Sequence, residues 1–316
     1  IDFKKKQNNV ILNCDKEQIS RAFFNLIKNS IESIQEKYEK KPDFNKKISI
    51  EIISHNDHIK IILIDNGLGF SEIKGKIKNI LVIDDIASRS YDCNMILNQN
   101  FNLNYRKLYQ GKVSKETKLF LGPQYTILDP DYIKIKKNKN IKNTVTKSVF
   151  VYFGGEDHFN LSKITVLALG MKEIRHLKIK MVLPQKINER TKTNLISISK
   201  KRGKVELISP KRSLADTMSG CDIAIGAGGS TLWERIHLEL PSIIISTAKN
   251  QEIACKSLAN KKIIDYLGNA ENINKDKISD AVLNLILCKK NFNLKKMRSK
   301  KLKIGSKLSE ITRLIK

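Results

Sequence analysis

The chain has 316 residues, 41% hydrophobic and 29% charged, which is enough for two domains that each bury a core. Its formal net charge is +27, but only ten of its 59 basic residues are Arg and aromatic residues make up 6%. No helix-turn-helix, zinc-finger or base-stacking pattern accompanies the charge, so the composition does not predict specific nucleic-acid binding. The apolar runs fall well short of the roughly 18 residues that a membrane-spanning helix needs.

The five cysteines are scattered without CxxC spacing. They predict reduced thiols in a cytoplasmic protein, with neither a disulfide framework nor a zinc site. The first residue is Ile, and no charged-then-apolar leader follows it. We therefore expect no signal peptide and a chain that starts within its gene.

The first segment combines a helical pattern with a hairpin pattern. DKEQISRAFFNLIKNSIESIQEKYEK has apolar residues at a helical period, with Asp15 placed as the N-cap. KKISIEII and HIKIILID alternate in polarity and are separated by SHND, which predicts a β-hairpin. We expect an α+β layout up to residue 74.

Two motifs of this segment, NLIKNSIES and DNGLGF, resemble the Asn box and the first Gly box of histidine-kinase ATPase domains. Asn25 and Asn29 share one helix face, and the resemblance implies that Asn29 holds the Mg²⁺ of bound ATP. It also implies that Asp65 binds adenine and that Gly67 and Gly69 let the backbone approach the base. The alternative is an Asn-rich surface helix followed by a plain hairpin turn.

This resemblance is incomplete. Between Phe70 and Asn79 the sequence supplies neither the lid nor the second Gly-rich box of that family, and no phospho-acceptor His helix precedes the Asn box. We expect weak ATP binding with Mg²⁺ at most, and no autophosphorylation.

From residue 76 onward, short apolar runs alternate with helical patterns. We predict strands at ILVID, MILN, KLFLG, VFVYFGG, IKMVLP, VELIS, DIAIGAG, SIIIS and KIIDYL, and helices at NLSKITVLALGM, RSLADTMSG and TLWERIHLEL. Such alternation is typical of a doubly wound parallel sheet. The polar stretch KKNKNIKNTVTK indicates a linker, and the Lys-rich stretch near the C-terminus indicates a solvated helix face.

In the motif GAGGST a buried strand is predicted to enter a Gly-rich turn, Gly226 to Gly229, and a helix is predicted to open at Ser230 and Thr231. Gly228 and Gly229 are the two residues directly before that helix. The N–H groups at such a helix start suit a diphosphate. Glu234, one turn further, is placed to accept hydrogen bonds from a ribose. The alternative is a tight turn that uses Gly for its geometry alone.

A second turn, FGGEDHFNL, repeats this design with Gly154 and Gly155, and Asp157 is placed to cap the helix that follows. One Gly pair is weak evidence, but parallel strands bring their carboxyl ends to one edge of a sheet, where ligands bind. His158 and His237 are expected to be surface or core residues.

Five ordered motifs of this second segment resemble the UDP-sugar hydrolases of pseudaminic acid biosynthesis, which are relatives of the peptidoglycan N-acetylglucosaminyltransferase with the two-domain GT-B fold. They are VIDDIASRSYDCNMILNQN, LGPQYTILDPDY, FGGEDHFNL, GAGGSTLWE and STAKNQE. The resemblance implies that GAGGST holds the UDP diphosphate, that Glu234 binds the ribose, and that Asn250 and Gln251 face the sugar. The implied reaction hydrolyses a UDP-linked 2,4-diacetamido-2,4,6-trideoxy sugar to free sugar and UDP, without a cofactor.

The chain also departs from that family. It has no GHxxR sequence, whose His is implicated in activating water, so the catalytic residues are unknown and we expect impaired activity. Glu156 replaces a small hydroxyl residue and Asp129 replaces an Arg. The first Rossmann-like domain is expected to keep only its last two or three strands and to expose apolar edges.

We therefore predict four segments: a partial ATPase-like segment (1–74), a truncated first GT-B domain (76–136), a linker (137–147) and a complete nucleotide-sugar-binding domain (148–316). Two fragments would join near residues 71–78, by genomic rearrangement or by assembly error. The functions that compete are a UDP-sugar-binding protein, an ATP-binding kinase remnant and a basic scaffold that binds neither nucleotide.

Overall fold

The computed structural model describes residues 2–5, 27–28, 30–35, 37–39, 42–43, 45–54, 59–66, 80–102, 104–135 and 146–315. By its internal contacts the chain divides into two compact units, Ile1–Ile80 and Leu81–Lys316.

The first unit contains a three-stranded sheet. Strands β2 (Ile48–Ser54) and β3 (Ile59–Asp65) pair antiparallel, with Ile48 opposite Asp65, and this confirms the predicted hairpin. Strand β1 (Asp2–Lys5), which the sequence pattern did not predict, pairs parallel with β2. Ile34, one of the helical residues between β1 and β2, packs against Ile48 and Ile50. The described part of the unit is therefore α+β, as predicted.

A small parallel sheet opens the second unit. Its strands β4 (Leu81–Ile83), β5 (Met95–Asn98) and β6 (Lys118–Leu121) lie in that order, and Ile83 at the β4 edge is 65% exposed. The core under this sheet is closed by Ile311, near the C-terminus of the chain. The end of the chain thus packs back onto the small sheet.

The six strands of the large sheet all run parallel in the order β12-β11-β10-β7-β8-β9. They are β7 (Ser148–Tyr152), β8 (Lys178–Val182), β9 (Val205–Ile208), β10 (Ile223–Ala227), β11 (Ser242–Ser246) and β12 (Asp265–Asn269). The chain builds outward from β7 in one direction and from β10 in the other. The order reverses between β7 and β10, and we call the carboxyl ends of these two strands the crevice, the point at which such sheets bind ligands.

Helices connect these strands, and they are α1 (Tyr105–Tyr109), α2 (Pro130–Lys134), α3 (Leu161–Ala168), α4 (Glu189–Arg202), α5 (Ala215–Ser219), α6 (Thr231–His237), α7 (Lys249–Asn260), α8 (Lys275–Leu287), α9 (Lys289–Lys301) and α10 (Leu308–Ile315). Short 3₁₀ turns lie at Pro123–Tyr125 and Ala270–Asn272. Within the residues described, no helix has the length and apolar character required to cross a membrane.

Two expectations need correction. Strand β12 begins at Asp265, because the apolar Ile263 and Ile264 are buried in the turn before it, beside α7. The Lys-rich helix α9 is not solvated throughout. Lys295 lies buried and donates to Asp265 at 2.7 Å.

Candidate functional site

The Gly-rich loop after β10 lies at the crevice between β7 and β10. Strand β10 is fully buried, and α6 begins at Thr231, as the motif predicted. A Cβ on Gly228 would stand 2.5 Å from the Cys255 sulfur, so this position accepts only glycine without a rearrangement. Helix α6 has only seven residues, so we expect its own dipole to add little at the loop.

The side chain of Arg235 lies directly under this loop and is 0% exposed. Its Nη2 donates to the Ala227 carbonyl oxygen, whereas Nε and Nη1 have no hydrogen-bond partner in the part of the chain that the structure describes. Burial lowers the pKa of Arg235 to about 10, against the opposing effect of the nearby Glu234 carboxylate. Sequence reasoning missed Arg235. Its signal was a charged residue three positions after Leu232 and next to Ile236, on the face that helical periodicity assigns to the core.

Glu234 lies half-buried beside the loop, one turn into α6. Burial raises the pKa of its carboxyl, and this effect outweighs the hydrogen bond from Tyr132, which lowers it. That hydrogen bond joins Tyr132 Oη to Glu234 Oε2 at 2.9 Å. Tyr132, from α2, is itself buried in the core beside β7, with Phe150 and Met218. It was not predicted, because the two residues lie 102 positions apart.

Gln251, from the first turn of α7, lies against the Gly-rich loop. Its Cβ would be 3.2 Å from a Cβ on Gly228, and its Nε2 3.8 Å from one on Gly229. Its Oε1 accepts the Thr247 N–H at 3.0 Å, which fixes the orientation of the amide. The neighbouring Asn250 donates from Nδ2 to Asp85 Oδ2 at 3.0 Å. The structure thus brings Gln251 to the loop and joins Asn250 to the small sheet.

The second Gly turn follows β7. Gly154 has φ +102°, a conformation that favours glycine, and the Asp157 carboxylate accepts the N–H groups of Leu161 and Ser162 at 2.8 Å each. Asp157 therefore caps α3, as expected. A Cβ on Gly155 would have ordinary spacing, 3.9 Å from the nearest atom. The roles of these residues toward a ligand stay predictions.

Glu156 and His158, the residues next to that cap, form surface contacts. The Glu156 carboxylate lies 3.0 Å from Lys186 Nζ and 2.7 Å from His158 Nε2. Lys186 is the larger cause of the lowered pKa of Glu156. His158 is exposed, in agreement with its expected surface position. His237 is partly buried at the end of α6.

Only Asp65 of the predicted ATP site lies among the described residues, and its Oδ2 accepts a hydrogen bond from Ser30 at 2.8 Å. Asn25, Asn29, Gly67 and Gly69 lie outside them. The described residues hold no group of three or more His, Cys, Asp or Glu side chains that could bind a metal ion. The Mg²⁺ site predicted at Asn29 is therefore untested.

No protein-family model matches the chain. An uncharacterised protein of Methanocaldococcus jannaschii is 27% identical over 269 residues, which cover 76% of this chain and 54% of that protein. The pseudaminic acid cytidylyltransferase and UDP-2,4-diacetamido-2,4,6-trideoxy-beta-L-altropyranose hydrolase of Helicobacter pylori is 28% identical over 195 residues, which cover 60% of this chain and 34% of that protein. The chain thus spans about half of the first relative and a third of the second.

Among solved structures, MurG of Acinetobacter baumannii superposes with a TM-score of 0.50 and 15% identity, over 70% of this chain and 65% of that one. Together with the parallel sheets, this likeness shows an α/β, GT-B-like fold, as predicted. The comparisons do not show the resemblance of residues 1–74 to a histidine-kinase ATPase domain.

Proposed function

We propose that the unit Leu81–Lys316 binds a UDP-linked sugar at the crevice between β7 and β10. The observation that supports this most is the buried Arg235 cation under the Gly-rich loop. Burying a guanidinium is costly, and the Glu234 carboxylate and the hydrogen bond to Ala227 offset only part of that cost. A diphosphate resting on the loop would offset more of it by adding negative charge nearby.

The loop supplies donors as well as charge. The first hydrogen bonds at the start of α6 run from Leu232 N–H to the Gly229 oxygen at 3.0 Å and from Trp233 N–H to the Ser230 oxygen at 3.1 Å. The N–H groups before Leu232 are those that a helix start offers to an anion. We infer that Gly228, Gly229, Ser230 and Thr231 contact the diphosphate.

The rest of a nucleotide sugar fits on either side of this loop. Glu234 has its Oε1 available for a ribose hydroxyl while Tyr132 holds Oε2. Asn250 and Gln251 stand on the β11 side, where the sugar would lie, and Gly154, Gly155 and Asp157 would flank the ligand from β7. By its likeness to the Helicobacter pylori enzyme, the reaction proposed is hydrolysis of the sugar–phosphate bond of a UDP-linked diacetamido-trideoxy sugar.

Isothermal titration calorimetry with UDP and UMP tests the diphosphate site. UDP should bind more tightly than UMP, because the second phosphate adds charge over Arg235. A Cβ at position 229 would lie 3.8 Å from Gln251 Nε2, which is ordinary contact, so G229A should fold. Its methyl group would nevertheless hinder the diphosphate from reaching the N–H groups of the loop. We expect G229A and E234Q each to weaken UDP binding about tenfold. A tenfold loss corresponds to about one hydrogen bond to a charged group.

The matched control is E271Q, which makes the same chemical change at an exposed residue outside the crevice. Its affinity for UDP should equal that of the wild type. EDTA should leave UDP binding unchanged, since we propose that the binding uses no cofactor. Equal affinity for UDP and UMP, or no binding of either, would contradict the proposal.

A second proposal concerns the first unit. Ser30 joins Asp65 to the helix in which the Asn box was predicted, so the residue assigned to adenine stands beside that helix. This contact supports weak binding of ATP with Mg²⁺. If the proposal holds, ATP with Mg²⁺ should raise the melting temperature by mass action and D65N should remove the effect, whereas no shift at millimolar ATP would exclude it.

A further inference from the structure

The carboxyl end of β4 has two adjacent acidic residues with different surroundings. Asp84 accepts hydrogen bonds from the Ala87 N–H at 2.8 Å, from Tyr91 Oη at 2.8 Å and from Tyr109 Oη at 2.5 Å. Burial raises the pKa of Asp84, but the hydrogen bonds from Tyr109 and Tyr91 outweigh burial and lower it overall. The Asp84 carboxylate is thus ionised, and its neighbours already supply hydrogen bonds to both of its oxygens.

Hydrogen bonds of the backbone hold Asp84 and the next residue, Asp85, in place. The Asp84 N–H donates to the Leu97 oxygen at 2.9 Å, and the Asp85 carbonyl oxygen accepts Asn100 Nδ2 at 3.2 Å. The Asp85 side chain is exposed, and its Oδ2 accepts Asn250 Nδ2 at 3.0 Å. A carboxylate can accept about four hydrogen bonds, so this contact leaves most of its capacity for a ligand.

The contact with Asn250 places Asp85 at one particular end of the proposed site. Glu234 lies on the β7 side, since it accepts a hydrogen bond from Tyr132, which packs with Phe150 and Tyr152 of β7. Gln251 and Asn250 follow β11, on the opposite side of β10. A diphosphate links the ribose to the sugar. A ribose at Glu234 therefore directs the sugar toward Asn250 and the facing Asp85.

We propose that Asp85 selects the sugar, its carboxylate accepting a hydrogen bond from a hydroxyl or acetamido N–H of the nucleotide-linked sugar. This inference rests on the proposed function and adds a residue from the small sheet to the site. Because a carboxylate only accepts hydrogen bonds, it favours neutral sugars that present donors. Asp84 and its tyrosines act as positioning residues for it.

The test compares the dissociation constants of UDP and UDP-N-acetylglucosamine by calorimetry for the wild type, D85N and D280N. Asp280 is an exposed residue of α8, far along the chain from the loop, and serves as the matched control. D85N should reduce the affinity for UDP-N-acetylglucosamine roughly tenfold, as expected for one hydrogen bond to a charged group. Its affinity for UDP should stay within about twofold of the wild type, and D280N should change neither constant.

The outcomes separate the two proposals. If wild-type protein does not bind UDP, the proposed function is wrong and the role of Asp85 is excluded with it. If UDP binds but D85N leaves the ratio of the two dissociation constants unchanged, Asp85 does not select the sugar and only bridges the small sheet and α7. D85N should then lower the melting temperature of the ligand-free protein, because the bridge to Asn250 is weakened.

Discussion

The guanidinium of Arg235 fills the space that a side chain on Gly226 would need. A Cβ at position 226 would overlap Arg235 Nη1 and the carbonyl oxygen of Tyr152, the residue that pairs with Gly226 across β7 and β10. A glycine inside a buried strand usually weakens it. Here the glycine makes room for a buried cation next to the proposed diphosphate site.

Gly226→Ala should therefore lower the free energy of unfolding by about 1–3 kcal/mol, the usual cost of overpacking a core. Urea denaturation measures the change. The control is Gly155→Ala, whose added methyl group would have its nearest neighbour at 3.9 Å, so the stability should be nearly that of the wild type. Equal stabilities of the two variants would show that Arg235 and the backbone of Tyr152 both shift at little cost.

Arg235→Met should separate stability from binding. Met has a similar length and no charge, so it removes two buried nitrogens without partners. The substitution removes the desolvation cost of the guanidinium but also takes from Glu234 the cation that lowers its pKa, so we expect only a small change in the stability of the ligand-free variant. UDP affinity should nevertheless fall at least tenfold, since the cation under the loop is lost. A destabilised variant with unchanged UDP affinity would contradict this role.

Glu234→Gln should change the pH dependence of stability. Burial raises the pKa of Glu234 above its ordinary value of 4.5, so the folded state binds the carboxyl proton more tightly than the unfolded state does. The contribution of Glu234 to the free energy of unfolding is therefore greatest below pH 4.5. This contribution is lost as the pH rises through the folded-state pKa, because the ionised form is the one that burial penalises. Gln cannot ionise, so the unfolding free energy of the variant minus that of the wild type should increase with pH above 4.5 and then level off.

Urea titrations between about pH 4 and pH 8 measure this difference. Tyr132→Phe tests its cause. The Tyr132 hydroxyl lowers the folded-state pKa of Glu234, so its removal should extend the upper end of the pH window. A difference that is flat or that decreases with pH would show that Glu234 is better solvated than its burial suggests.

The ion pair between Lys295 and Asp265 should respond asymmetrically to mutation. The Lys295 side chain is 7% exposed and that of Asp265 is 37% exposed. Asp265→Ala leaves a buried ammonium without its partner, and we expect a loss of about 2–3 kcal/mol, below the range for fully buried pairs because Asp265 is partly solvated. Lys295→Met leaves only a partly exposed carboxylate and should cost less than about 1 kcal/mol. If urea denaturation showed equal losses of stability for the two variants, the Lys295 ammonium would not behave as a buried charge.

The sequence predicted the central strands of the large sheet, β7, β10 and β11, because nearly all of their residues are buried. SIIIS became β11 and VFVY lies in β7, since a parallel strand covered by helices requires an unbroken apolar run. The Gly-rich loop after β10 was predicted for a related reason, as a strand that turns directly into a helix leaves a local glycine signal.

The partners of Glu234 and Asn250 could not be predicted in this way. Tyr132 reaches Glu234 across 102 positions and Asp85 reaches Asn250 across 165. No periodicity links residues so far apart. Ile311 likewise joined the small-sheet core although it lies in a Lys-rich C-terminal region.

The sequence by itself determined where the chain forms strands and where glycines open a turn, because both depend on neighbouring residues. Only the tertiary structure decided that a buried Arg lies against the strand before that turn, that a tyrosine holds Glu234 and that Asp85 reaches Asn250. Their burial and their partners arise from packing between distant elements, and in the proposed site these contacts would act on the ligand.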